Sequence, residues 1–167
     1  MKQSIDRSYL EIKSIDDLIE SNFHTLNCSI KLVKPDDFQI NKFFYKNVGK
    51  KHRWKDRLAW SENEWIKYSS NSTVETYVMK IKDDLAGYYE LISHLDLQEI
   101  EIAYFGLLED YHNKKLGGYL LSSAIKKSFE KKIKRVWVHT CTLDHENALK
   151  NYLARGMKIY KKETIRI

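Results

Sequence analysis

The sequence predicts a mixed α/β domain in which a mostly antiparallel central sheet, with one parallel strand pair, is flanked by helices. Two observations predict this architecture. Residues 74–107 contain consecutive strand patterns joined by polar turns, as in an antiparallel sheet. Residues 100–141 then show the order strand, helix, strand, which is long enough for a right-handed crossover between parallel neighbours. A length of 167 residues suits a single domain over residues 1–167.

The composition describes an ordered chain and indicates its compartment. Hydrophobic residues make up 43% of the chain and there is one proline, which excludes a disordered or collagenous protein. The N-terminal residues lack the apolar stretch of a signal peptide or membrane span, so a cytoplasmic protein without a membrane partner is expected. Cys28 and Cys141 lie far apart, so neither a disulfide framework nor a four-ligand zinc site is indicated, and no metal is expected.

The formal charge of +6 bears on the choice of partner, because lysine and arginine are concentrated at residues 46–57 and 126–135. Such clusters either bind nucleic acid or solvate exposed faces. They lack the interleaved aromatics of a single-strand binder and any recognition-helix signature, so no nucleic-acid partner is predicted. A basic field would also attract an anionic, phosphate-bearing cofactor.

The first seventy residues contain short element patterns, namely strands over 9–13 and 30–33 and helices over 14–19, 35–45 and 61–68. Pro35 is expected in the first turn of its helix. Ser61 and Glu64 have the spacing of a capping box at the start of the next one. The aromatic-rich segment 44–68 is expected to cap a small pocket.

The remainder of the chain has stronger patterns, with strands over 74–81, 85–92, 99–107, 135–141 and 157–160 and helices over 116–129 and from about 146 to 156. Leu116, Leu120 and Ala124 form one i,i+4 row in the first of these helices, which predicts that this face packs on the core. Gly156 marks the end of the last helix.

The junction of the strand over 99–107 with the following helix has the features of an anion site. Gly117 and Gly118 lie at the start of the helix, where glycine lets unpaired backbone N–H groups approach a phosphate. The positive end of the helix dipole adds to that attraction, and Lys114 and Lys115 add charge. Close helix packing explains a glycine pair equally well, so the surrounding pattern has to decide.

That surrounding pattern resembles the pyrophosphate-binding signature of the GNAT N-acetyltransferase family, Gln/Arg-x-x-Gly-x-Gly/Ala. His112 takes the Gln/Arg position, Lys115 the first glycine and Gly117 the final Gly/Ala. The resemblance implies the GNAT acyl-CoA acyltransferase fold, in which the parallel strands splay apart and acetyl-CoA is the cofactor. The cofactor-binding residues that it implies are Phe105, Gly106, Leu107, His112, Asn113, Lys114, Lys115, Leu116, Gly117, Gly118, Tyr119, Asn147 and Tyr152.

A second segment, Ala148 to Met157, resembles the family's Ala-x-x-x-Tyr-x-x-x-Gly-Phe. In the family the tyrosine hydroxyl lies near the CoA sulfur and can protonate the departing thiolate, and this implied role falls on Tyr152. The family's asparagine falls on His145, with Asn147 nearby but out of register. The resemblance covers about residues 74–160, and the substrate-determining part is expected at about 30–73.

Transfer to an amine requires a base, because an ammonium group has no lone pair for attack. Glu101 occupies a place where some members of the family carry a glutamate base, and Glu90 on the preceding strand is the alternative. Strand alternation also explains either carboxylate as an ordinary surface residue. A pocket for a cationic amine is expected from Trp54, Trp60, Tyr89, Glu90 and Tyr104, with His139 also binding the substrate.

The resemblance therefore implies an N-acetyltransferase that moves an acetyl group from acetyl-CoA to a primary amine of a small molecule by direct attack in a ternary complex. Two alternatives stay open: an enzyme acting on protein or peptide amines, and a noncatalytic module that binds acyl-CoA or nucleic acid. A homodimer is also left open.

Overall fold

A computed structural model describes residues 3–23 and 25–166, which form one central sheet with helices on both faces. The strands of the described residues are β1 (Ser4–Ile12), β2 (Cys28–Leu32), β3 (Val74–Ile81), β4 (Asp84–His94), β5 (Glu99–Leu107), β6 (Arg135–Cys141) and β7 (Lys158–Arg166). The α-helices of the same residues are α1 (Phe38–Gly49), α2 (Glu62–Ser69), α3 (Leu116–Phe129) and α4 (Ala148–Ala154).

The strands are ordered β2-β3-β4-β5-β6-β1-β7 across the sheet. Within the described parts of the chain, β5 and β6 form the one parallel pair, and the other neighbouring strands are antiparallel. Helix α3 makes the crossover between the two parallel strands. The predicted mixed sheet with its single parallel pair is therefore confirmed.

The parallel strands separate after a short paired run. They pair only over Glu99–Glu101 of β5 and Arg135–Trp137 of β6. On its other side β5 continues to pair with β4 as far as Leu107, with a register shift that leaves Ala103 as an extra residue. Because a bulge bends its strand locally, β5 departs from β6 beyond Glu101. The last residues of β5 thus present one backbone edge to an opening in the sheet.

The N-terminal strand β1 lies inside the sheet, antiparallel to both β6 and β7. Its register places Arg7 opposite Cys141 and Tyr9 opposite His139. Residues directly opposite each other in an antiparallel pair project from the same face of the sheet. This pairing brings the side chains of β1 next to those of β6, beside the opening.

Two apolar layers hold the helices on the sheet. The larger layer includes Leu10, Met79, Tyr89, Leu91, Ile100, Leu116, Leu120, Ala124, Ile125 and Val136, and it lies against α3. The smaller layer, on the face covered by α1, is formed by Phe44, Val78 and Tyr88. The predicted core row of α3, from Leu116 to Ala124, is thus buried. Tyr88 and Tyr89 enter opposite layers because successive strand residues alternate between faces.

Several boundaries differ from the sequence prediction for local reasons. Helix α1 begins at Phe38 and not at Pro35, because Asp37 is its N-cap and accepts a hydrogen bond from the first turn. The predicted capping box of Ser61 and Glu64 is present in α2. Other bounds also shift: β1 starts at residue 4, residues 15–17 form a single 3₁₀ turn, α4 spans 148–154, and β7 extends to residue 166.

Candidate active site

The opening between β5 and β6 leads into a cavity of about 870 Å³. Its walls come from β1, β5, β6, the start of α3, helix α4 and the segment between α1 and α2. The predicted site residues that line it are Trp54, Glu101, Tyr104, Phe105, Gly106, Leu107, His112, Asn113, Lys115, Leu116, Gly117, Gly118, His139, Asn147 and Tyr152. The predicted site residues that do not line it are Trp60, Tyr89, Glu90, Lys114 and Tyr119.

Helix α3 opens onto this cavity without a side-chain cap. Its N-cap residue, Lys115, has a left-handed backbone with φ 62°, and no side chain of the described residues caps the helix. The N–H groups of Leu116, Gly117 and Gly118 form the first turn, where an α-helix has no internal acceptors. Three free donors and the positive end of the helix dipole therefore face one wall of the cavity, and this arrangement suits an anion.

The two glycines of this turn have different surroundings. A Cβ at Gly117 would lie 3.5 Å from Asn151 Nδ2 and 3.9 Å from Leu107 Cδ1, two side chains that line the cavity. A Cβ at Gly118 would collide with the guanidinium of Arg155. The buried Nε of Arg155 has no hydrogen-bond partner in the described chain. Arg155 does not line the cavity but a neighbouring pocket that shares Lys115 and Gly118 with it, so it adds a cation beside the same helix start.

A cluster of histidines closes the loop next to this helix start. His112, in the signature position of Gln/Arg, donates from Nε2 to the Leu107 carbonyl at 3.0 Å, which ties the loop to the end of β5. The ring of His145 lies 4.8 Å from that of His112 and 6.1 Å from that of His52. Burial and these two neighbouring rings lower the pKa of His145. The His145 ring is therefore uncharged near neutral pH.

Tyr152 of α4 reaches the cavity from the side of the larger core. Its residue is 6% exposed and its ring lies 6.2 Å from that of Phe105. Among residues 3–23 and 25–166 the Tyr152 hydroxyl has no hydrogen-bond partner. Burial, together with the charge of Asp144, raises the pKa of Tyr152 well above its usual value. The hydroxyl therefore keeps its proton at neutral pH and can donate it to a group in the cavity.

Glu101 lies on β5 at the point where the parallel pairing ends. Its Oε1 accepts a hydrogen bond from His94 Nε2 at 3.0 Å, and 18% of its side chain is exposed. The His94 ring in turn stacks on Trp137, with centroids 6.2 Å apart. This support fixes one carboxylate oxygen and leaves the other free to face the cavity. The geometry is that of an oriented, solvent-accessible base.

Glu90, the alternative base, is a different kind of carboxylate. It is completely buried, and Arg57 Nη1 donates to its two oxygens at 3.1 and 3.2 Å. The Tyr68 hydroxyl also donates to it at 2.9 Å. Burial raises the pKa of Glu90, whereas Arg57 acts in the opposite direction. Since Glu90 does not reach the cavity, its carboxylate serves the ion pair with Arg57.

The aromatic pocket expected around Glu90 is formed, but the protein's own Arg57 fills it. The guanidinium carbon lies 4.0 Å from the ring centroid of Tyr68, 4.2 Å from that of Tyr104 and 4.8 Å from that of Trp60. These are distances of cation–π contact. The expectation that these aromatic rings and Glu90 bind a cationic amine is therefore corrected, because an internal cation already satisfies them.

Three other predicted residues are also directed away from the cavity. Tyr89 lies on the α3 side of the sheet, where its hydroxyl is 2.9 Å from Ser123 Oγ, because alternation along β4 places it opposite Tyr88. Lys114 lies over the ring of Tyr111, with Nζ 5.5 Å from the centroid. Tyr119 packs against the larger core. None of the three lines the cavity, so the expectation that Tyr89 contacts the acceptor is not supported by its position.

The wall opposite α3 comes from β6 and β1. His139 is exposed toward the cavity, and its ring lies 5.6 Å from Tyr9 and 6.5 Å from Trp137. Partial burial and the charge of Arg7 lower the pKa of His139. Cys141, two residues further along, also lines the cavity, and burial raises the pKa of its thiol. The cysteine is thus a protonated thiol at neutral pH.

Sequence reasoning missed three residues of this region: Arg7, Arg57 and His94. Each contacts a partner on another strand or loop, and no motif in the sequence around it identifies that partner. The described residues contain no group of three or more His, Cys, Asp or Glu able to hold a metal ion. Likewise, no helix of the described residues is long and apolar enough to cross a membrane.

Comparison with known proteins identifies the relatives of this arrangement. Residues 38–157 match the family model described as "Acetyltransferase (GNAT) family". No curated protein matches the sequence at a significant level. Among solved structures, a functionally unknown conserved protein from Staphylococcus epidermidis is 17% identical, with a TM-score of 0.68 over 98% of this chain and 61% of its own.

Two further solved structures share the fold at similarly low identity. A GCN5-related N-acetyltransferase from Sphaerobacter thermophilus is 11% identical, with a TM-score of 0.73 over 99% of this chain and 53% of its own. An aminoglycoside acetyltransferase from an uncultured soil metagenomic sample, in complex with trehalose, is 13% identical, with a TM-score of 0.64 over 77% and 87%. The chain therefore spans 53–61% of the length of the first and second of these three structures.

Proposed function

The chain belongs to the GNAT acetyltransferase family, and we propose that it transfers an acetyl group from acetyl-CoA to a primary amine of a small molecule. The observation that carries the proposal is that one cavity joins the uncapped start of α3, the Tyr152 hydroxyl and the Glu101 carboxylate. An anion site, an acid and a base are the groups that this reaction requires.

The residues that would hold acetyl-CoA lie along β5 and at the start of α3. The backbone N–H groups of Leu116, Gly117 and Gly118, with Arg155 nearby, would bind the diphosphate. Beyond Glu101 the backbone edge of β5 pairs with no strand of the described chain on the β6 side, and it can hydrogen-bond the extended pantetheine arm. When bound, acetyl-CoA supplies the acetyl group as a thioester.

The acetyl group is proposed to move in one direct transfer. Glu101 takes a proton from the ammonium form of the acceptor, which leaves a nitrogen lone pair. The amine nitrogen then bonds to the acetyl carbonyl carbon as the carbon–sulfur bond breaks. Tyr152 donates its proton to the departing sulfur, and the proton that the new amide nitrogen loses goes to solvent. The high pKa of the Cys141 thiol favours direct transfer over a route through an acetylated cysteine, since the thiolate is the nucleophile.

The shape of the cavity favours a small acceptor over a protein. The segment between α1 and α2 crosses the opening and is fastened on the far side. His52 Nδ1 donates to the Leu143 carbonyl at 3.0 Å, and Arg53 Nη1 donates to Gln3 Oε1 at 2.7 Å. This segment narrows the groove that a peptide would need, which supports a small-molecule acceptor.

The base is tested by Glu101→Gln in an assay that follows free thiol release from acetyl-CoA with a panel of primary amines. At neutral pH we expect kcat/KM to fall about a hundredfold, the usual contribution of a general base, with the affinity for acetyl-CoA unchanged. At alkaline pH the loss should shrink, because the free amine no longer needs the base.

The matched control is Glu99→Gln, since Glu99 precedes Glu101 on the same face of β5 but binds Arg135 and lies outside the cavity. This variant should keep the wild-type rate. Equal rates for Glu101→Gln and the wild type would rule out the assignment of the base. Absence of thiol release with every amine would count against the enzyme and favour a binding module.

A further inference from the structure

The part of the cavity beside Glu101, here called the acceptor half, is lined by charges of both signs. Arg7, Arg53, Lys55 and Arg57 line it, against the carboxylates of Glu101, Asp56 and Asp144. Asp144 is engaged locally, because its Oδ2 accepts from Thr140 Oγ1 at 2.6 Å and from the Cys141 N–H at 3.0 Å. Arg57 is paired with Glu90, so any preference of the acceptor half for an anion depends on the cations that keep free donors.

Among these four cations, Arg7 is distinguished by a buried donor that lacks a partner in the described residues. Its Nη1 lies 3.5 Å from the Tyr9 hydroxyl and 3.6 Å from Glu163 Oε1, and both distances are long for a hydrogen bond. Its buried Nε has no partner within the described residues. Glu163 is itself bound more tightly by the Tyr9 hydroxyl, at 2.6 Å. An arginine offers five N–H donors, so the described residues leave donors of Arg7 available to a ligand.

Arg57 is fixed in place and its charge is paired with Glu90. The rings of Tyr68 and Tyr104 and the contacts of Nη1 with both oxygens of Glu90 hold its guanidinium at the edge of the cavity. His139 also lines the cavity, and the charges of Arg7 and Glu101 act on its pKa in opposite directions.

From these contacts we propose that the acceptor is an amino acid or a related small molecule that carries a carboxylate beside its amine. Arg7 binds the carboxylate through its guanidinium, and the amine lies toward Glu101. The planar fork of arginine matches a carboxylate in a bidentate contact, whereas lysine supplies only a point charge. The inference rests on the proposed function, since it names the substrate class of the same cavity.

The proposal is tested with the full chain and matched sets of amines: amino acids, the corresponding amino acid amides and the decarboxylated amines, with a polyamine as a cationic comparison. We expect kcat/KM to be at least about tenfold higher for the acids than for the other two forms, as for a hydrogen bond between charged groups. Arg7→Gln should abolish this preference by raising KM for the acids alone. Arg7→Lys should restore part of it, and Lys80→Gln, an exposed cation outside the cavity, should leave it unchanged.

Two results would overturn the inference while leaving the proposed function intact. One is a kcat/KM for the amides or the polyamine as high as that for the acids. The other is an equal loss of kcat/KM for all acceptors in Arg7→Gln. If no amine is acetylated, the proposed function fails and calorimetry on the CoA-saturated protein decides the inference separately. Acids that bind at least about tenfold more tightly than their amides would support it, and equal or undetectable binding of both would refute it.

Discussion

Tyr152 is buried as a residue, while it lines the cavity and its hydroxyl has no partner among the described residues, and this combination suits an acid for a departing sulfur. Because no described residue depends on it, removing this oxygen should cost the fold little. Tyr152→Phe is therefore expected to lower kcat about a hundredfold, within the range of general acid catalysis, with little change in KM for acetyl-CoA or in thermal stability. Steady-state kinetics and a thermal melt check the two halves of this prediction.

The outcome that contradicts this role is an unchanged kcat, which would leave Tyr152 as a core aromatic on α4. A large fall in melting temperature would also count against it, because the loss of rate would then have a structural origin.

For single residues, the sequence could predict a role where the pattern that indicates it lies within one short segment. The spacing around Tyr152 and Gly117 belongs to short segments, so the resemblance could assign both. Arg57 was missed because its partner, Glu90, is 33 residues away on a different element. Glu90 was considered as a candidate base for the same reason, because alternation along a strand does not show which carboxylate is already paired.

At the scale of elements, the contact between Arg57 and Glu90 joins the loop before α2 to the middle of β4. The side chain of Glu90 is fully buried and that of Arg57 is 8% exposed, so breaking the pair leaves a charge without water or a partner. Glu90→Gln is expected to lower the free energy of unfolding by about 3–5 kcal/mol, as for other buried pairs. Chemical denaturation measures this loss.

The control is the double variant Arg57→Met with Glu90→Leu, which removes both charges and should recover a large part of the stability. If Glu90→Gln were as stable as the wild type but inactive, Glu90 and not Glu101 would be the better candidate for the base.

The elements themselves were predicted better than their arrangement. Hydrophobic alternation indicated β3, β4 and β5, and the i,i+4 rows indicated α3, because these patterns reflect burial on one face. The position of β1 between β6 and β7 could not be read in this way. Strand pairing across most of the chain length depends on complementary faces of the sheet, and the pattern of residues 4–12 is compatible with many neighbours.

At the scale of the whole molecule, the proposed function depends on the departure of β5 from β6 and on the helix that starts beside the gap. The bulge at Ala103 ends the parallel pairing, and the crossover through α3 places an uncapped helix start at one end of the opening. The N-terminal strand and the segment before α2 then complete the acceptor half. Residues from distant parts of the sequence therefore meet in one cavity.

The measurement that tests this account most directly is a calorimetric titration of acetyl-CoA into the wild type and into Gly117→Val. The valine side chain would fill the space between Leu107 and Asn151 in front of the α3 N–H groups. Since most residues favour a helix at least as well as glycine does, the variant should remain as stable as the wild type. Lys127→Ala, in the last turn of α3, is the control for changes in the helix that lie outside the cavity.

The account predicts saturable one-to-one binding to the wild type and to Lys127→Ala, and affinity reduced by at least about tenfold in Gly117→Val. Equal affinity in Gly117→Val and the wild type, or no binding to the wild type, would contradict a diphosphate site at the start of α3.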